Sequence, residues 1–223
     1  MGITQTTLIK KILMALTGLF LSFFLIIHLL GNLQLILPEE IGHSQFNHYS
    51  VLLSELTIIK VISYFLYATI LYHVFDALWI TIANWRANDK KYKKDNRAEV
   101  SGWISRNMGF LGSLIFIFLV IHFKDYWYVF KFGELPLDAE GNKDIYLIVV
   151  TSFKNIWWVI LYEIALISLG LHLIHGVSSA FRTLGVYHPK YILWIKYLGY
   201  AFSIAITIGY MIIPVFVYFF NPL

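Results

Sequence analysis

The sequence predicts an all-α integral membrane protein of five transmembrane helices. Of its 223 residues 59% are hydrophobic and only 13% charged, and the mean hydropathy is +0.69. A soluble domain carries about 25% charged residues. Five apolar runs are each long enough to cross a hydrocarbon core of about 30 Å at about 1.5 Å per residue. The lysines and arginines also gather beside alternate ends of these runs, as they do in multi-pass proteins.

The runs are Ile12–Leu37, Thr57–Trp85, Met108–Phe130, Ile156–Arg182 and Leu193–Tyr218, here spans I to V. Span I follows Lys10 and Lys11 and stops at Pro38. It is too long for the apolar core of a signal peptide and no small-x-small cleavage pattern follows, so it reads as a retained helix. Trp85, Trp127, Trp157, Trp158 and Trp194 sit near span ends, where aromatic belts form. The length suits one bundle, residues 1–223, as a single domain.

Charge sets the expected orientation. Arg86, Lys90, Lys91, Lys93, Lys94, Arg97 and Arg106 follow span II. Arg182, Lys190 and Lys196 lie around the end of span IV, and Lys10 and Lys11 precede span I. These three groups share one side. The loop Pro38–Leu56, on the other side, has Glu39, Glu40 and Glu55 and no lysine or arginine, and the loop Phe123–Asn155 is mixed. The positive-inside rule then places the N-terminus in the cytoplasm and the C-terminus outside. The net charge of +4 is a membrane signature, with no nucleic-acid partner implied. There is no cysteine, so the chain can hold no thiolate-ligated iron–sulfur cluster, c-type haem or disulfide.

Five of the eight histidines fall inside apolar helix: His28, His73, His122, His172 and His175. Ionisable groups in a span are costly and tend to be functional. A lone one is more often a hydrogen-bonding partner for a neighbouring helix. Here spans I to IV each supply at least one histidine and span V none, as paired axial ligation requires. Counted from the cytoplasmic helix ends, His28 and His122 lie about 24 and 20 Å deep, and His73 and His172 about 16 and 15 Å. The expectation is a haem-binding four-helix bundle of spans I–IV with span V peripheral. Diagonal partners His28/His122 would hold an outer haem iron and His73/His172 an inner one. Two imidazoles per iron suit a b-type haem that transfers electrons. Zinc, which takes about four ligands in a tetrahedron, fits two-and-two less well. His175, about 10 Å deep, is placed to meet a propionate or a quinone. Gly176, four residues after His172, leaves room for a macrocycle or for close helix packing.

The stretches TGLFLSFFLIIHLLGN, LYHVFDALW, MGFLGSLIFIFLVIHF and HLIHGVSSAFRTLG carry these histidines. Together they resemble the cytochrome b membrane-anchor subunit of succinate dehydrogenase and fumarate reductase, in its single-chain, five-helix, two-haem form. The resemblance runs over residues 10–218. It implies two b haems, a flavoprotein subunit with FAD, an iron–sulfur subunit, contact with lipid, and electron delivery to a quinone, with menaquinone expected. It also implies a bacterial inner membrane, with no dicarboxylate chemistry on this chain. Counting back from Leu184–Gly185 in the family pattern lands on His172, with Gly176 as the family's glycine. Leu184 stands where relatives more often have Trp. Leu171 stands where some quinol-oxidising relatives carry glutamate.

Other residues are weaker candidates. Lys11, Trp103, Arg106 and Arg182 lie near the inner level and could reach haem propionates, although for any one of them surface snorkelling is the simpler reading. Asp76, one turn after His73, could move protons at a quinone site or pair with a surface cation. Glu163 in span IV has the same two readings. A haem b subunit of another respiratory enzyme would concentrate its ligands on fewer helices. A haem-free transporter would show repeats and broken helices.

Overall fold

The computed structural model describes residues 3–87, 102–186 and 188–221. Five of its helices are long and apolar enough to cross a membrane: Leu8–Ile36, Thr57–Ala83, Met108–Phe132, Ile156–Thr183 and Ile192–Phe220. These match the five apolar runs to within a few residues at each end. In hydrocarbon every backbone polar group must be satisfied within the chain, which leaves the helix as the form these runs can take.

In chain order, α1 (Ile3–Asn32) is span I and continues as a 3-10 turn, Leu33–Ile36. Next come α2 (Glu39–Glu55), α3 (Thr57–Ala87; span II) and the short α4 (Trp103–Arg106). Span III is α5 (Met108–His122) prolonged by a π-helical segment, Phe123–Tyr128, and by α6 (Val129–Phe132). Then follow α7 (Ile145–Phe153), α8 (Ile156–Thr183; span IV) and α9 (Ile192–Phe220; span V). Span I stops because Leu37 is extended (ψ 161°) ahead of Pro38. Span IV ends at Gly185 with φ +81°, and Val186 N–H reaches back to the Phe181 carbonyl.

Span I packs on II, II on III, III on IV and IV on I. The four therefore close a ring whose diagonals are I–III and II–IV. Span V lies outside this ring against IV and I, but it is firmly attached. A Cβ on Gly170 would sit 2.6 Å from Thr207 Oγ1, so spans IV and V approach at backbone distance. Ser203, Ile206, Tyr210, Ile213, Pro214 and Val217 are buried along its inner stripe.

The two loops at the Pro38 end contain structure that the hydropathy pattern does not reveal, namely α2 and α7, packed together. Asn47 on α2 is fully buried. Its amide donates to Asp138 Oδ2 at 3.1 Å and Asp144 Oδ1 at 3.0 Å, and its oxygen accepts from Tyr146 N–H at 2.9 Å. Asp144 also caps α7 through Leu147 N–H and pairs with His43 at 2.9 Å. At the other end, the loop charges from Lys90 to Arg97 lie outside the described residues.

Asn47→Ala leaves a buried N–H and two carboxylates short of partners and should cost about 3 kcal/mol. The effect has a pH sign. Burial opposes ionisation of Asp138, but the Asn142 N–H, the Asn47 amide and the Glu140 N–H outweigh it and hold the carboxyl below its usual 3.8. That stability is present above 3.8 and is lost as pH falls through the depressed value. Unfolding in detergent, followed at pH 7 and under acid, checks both.

Candidate functional site

The diagonal helices bring their histidines together in pairs. His28 of span I and His122 of span III have ring centroids 5.8 Å apart, with planes crossed at 87°. His73 of span II and His172 of span IV are 6.3 Å apart at 67°. Two metal–imidazole bonds of about 2 Å each separate the bonded nitrogens by about 4 Å. The two ring half-widths make up the rest of either distance. Each pair is thus spaced to accept one metal centre between its rings.

The levels are in register across three helices. On span I, a Cβ on Gly18 would meet His73 Cε1 at 3.5 Å, and His28 follows ten residues later. On span III, a Cβ on Gly112 would meet His172 Cε1 at 3.9 Å, and His122 follows ten residues later. On span IV, the Tyr162 hydroxyl lies 3.2 Å from His122 Nδ1, and His172 follows ten residues later. Ten residues of helix rise about 15 Å. Depths counted from helix ends separate the levels by under about 10 Å. That count falls short because the ends of the apolar runs are not level: Thr17, beside His73, comes five residues after Ile12, whereas Trp85 comes twelve residues after His73.

All four histidines are half-buried residues, and their rings meet in pairs. In Met108–His122 only Leu111 is buried. A Cβ on Gly176 would meet nothing within 4 Å. The Nδ1 of His172 is buried without a hydrogen-bond partner. Among the described residues no three His, Cys, Asp or Glu side chains converge as ion ligands. Two ligands per level fit a group that brings its own equatorial donors, as haem does, and the residues present fit two such groups.

Each level has its own surroundings. Phe24 stacks on His28 at 5.3 Å, and Phe118 and Tyr126 approach His122 at 5.6 and 5.4 Å. The π-helical segment directly after His122 contains Tyr126. Such segments recur at functional sites. Tyr210 of span V lies 6.0 Å from His28, and its hydroxyl donates to the Leu25 carbonyl. At the other level, Thr17 Oγ1 lies 3.1 Å from His73 Nδ1. The sequence reading missed Thr17, Tyr126, Tyr162 and Tyr210. Only Tyr162, ten residues before His172, could have been found by stepping between levels.

The remaining candidates are more scattered. It is His172, not His175, whose ring meets His73. Trp103 and Arg106, on α4 against the ends of spans III and IV, are exposed, as are Lys11 and Arg182. Arg182 Nε reaches Ser178 O at 3.4 Å. Asp76 is buried with Oδ2 lacking a hydrogen-bond partner, and Glu163 Oε1 is likewise buried without one. No ion pair forms at Asp76 among the described residues.

The geometry separates the two span IV histidines. In the purified chain His172→Ala should remove one b-type spectral component, and His175→Ala should retain both. Low-temperature difference spectra of the two variants check this. Compared with known protein families, curated proteins and solved structures, the chain matches none.

Proposed function

We propose that this chain is the membrane-anchor and electron-transfer subunit of a succinate:quinone oxidoreductase. The observation that carries the reading is the pair of crossed histidine couples on the two diagonals, ten helical residues apart. The sequence resemblance supplies the particular respiratory complex.

His28 and His122 would hold one haem b and His73 and His172 the other. Each haem, when bound, would supply a one-electron carrier. The chain's own residues supply the rest. The apolar rings around His28 and His122 exclude water. Lys11, Trp103, Arg106 and Arg182 collect at the end of the bundle nearer the His73/His172 pair, where cationic and indole N–H groups suit carboxylate propionates.

Reduction of a quinone, with menaquinone expected, takes two electrons and two protons. Asp76 and Glu163 are carboxyls in apolar surroundings with an oxygen lacking a partner, and they are the candidates for handling those protons. By the positive-inside rule the basic side faces the cytoplasm of a bacterial inner membrane. The iron–sulfur and FAD-containing subunits would dock there, on the side nearer the His73/His172 pair.

Pyridine haemochrome analysis of the purified chain should give about two b haems per polypeptide, one for each pair of axial histidines. Purification in mild detergent should bring flavin and non-haem iron with it. A chain free of haem overturns the reading.

A further inference from the structure

We propose that Thr17 is a positioning residue, which fixes the ring of His73 by accepting its Nδ1–H and leaves Nε2 bare to face His172. The inference rests on the reading of the histidine pairs as haem ligands and names a residue that the reading does not assign.

The argument turns on one proton. The Thr17 hydroxyl has a single hydrogen, and its oxygen lies 2.8 Å from the Leu13 carbonyl and 3.1 Å from the Met14 carbonyl. This is the back-bond of a β-branched hydroxyl within a helix, and it commits the hydrogen to the backbone. The same oxygen lies 3.1 Å from His73 Nδ1, so the hydrogen between them must come from the imidazole. A neutral ring protonated at Nδ1 carries its free lone pair on Nε2. A Cβ on Gly18, the next residue, would meet His73 Cε1 at 3.5 Å, so the ring lies close along this part of span I.

The His73/His172 pair is therefore uneven. His73 has an acceptor for Nδ1–H, whereas His172 Nδ1 is buried with no hydrogen-bond partner. An acceptor behind a ligating imidazole fixes its orientation and raises its basicity, and its loss commonly costs 10- to 100-fold in affinity. A more basic ligand favours the ferric state. Thr17 should therefore lower the reduction potential of the His73/His172 haem and leave that of the His28/His122 haem alone, since Thr17 is 11 residues before His28 on the same helix.

The test is an optical redox titration of the full-length chain carrying its haems, as wild type, Thr17→Val and Thr17→Ser. Valine keeps the shape and removes the acceptor, and serine restores it. Thr17→Val should shift the reduction equilibrium of one b component about tenfold toward the ferrous form, about +59 mV for one electron. Thr17→Ser should titrate as wild type, and the second component should not move in either variant. Loss of one haem in Thr17→Val with both kept in Thr17→Ser is the same result in a stronger form. Unmoved potentials in Thr17→Val, or equal shifts in Thr17→Val and Thr17→Ser, overturn the role of Thr17 alone. A wild-type chain without haem overturns the underlying reading, and this one with it.

Discussion

Placing an imidazole in hydrocarbon is costly, and this protein does it in four helices at once. The cost falls when the ring finds a partner. The only partners deep in a helical bundle lie across its diagonal or along the next helix. The packing I–II–III–IV–I satisfies that demand with His28 facing His122 and His73 facing His172. The ten-residue step repeated on spans I, III and IV then keeps the two couples at separate heights.

Tight packing and open space are divided along the bundle. Most of the fully buried side chains, among them Leu35, Asn47, Tyr146 and Val150, gather at the α2/α7 end. There the Asn47–Asp144 hub joins two connections that hydropathy alone leaves unstructured. Around the histidines, span III buries almost nothing, and Gly18, Gly112 and Gly176 keep side chains out of the interior. Span V packs its small residues against span IV.

The fold was legible in the sequence wherever hydrophobicity was the signal. Five continuous apolar runs became five helices, the form in which a single segment satisfies its own backbone without water. The ring contacts His28–His122 and His73–His172 join the helices that an up-and-down ring makes diagonal, as the sequence reading expected. The heights were not legible, because counting from helix ends assumes that those ends are level, and span II extends past the start of span I's apolar run. The α2 helix escaped notice because EEIGHSQFNHYSVLLSE has neither an apolar run nor a strong stripe, and its stability comes from packing on α7. Thr17 escaped because a hydroxyl one helix away from a histidine has no sequence spacing that marks it, whereas Tyr162 is marked only by its ten-residue step to His172.

The central claim is the pairing, and four alanine variants read by low-temperature electron paramagnetic resonance test it most directly. In the oxidised wild-type chain two low-spin ferric signals are expected. His28→Ala and His122→Ala should abolish or convert one of them, and His73→Ala and His172→Ala the other. Any other grouping, such as His28 with His73, or a wild-type chain with no such signal, would contradict the account.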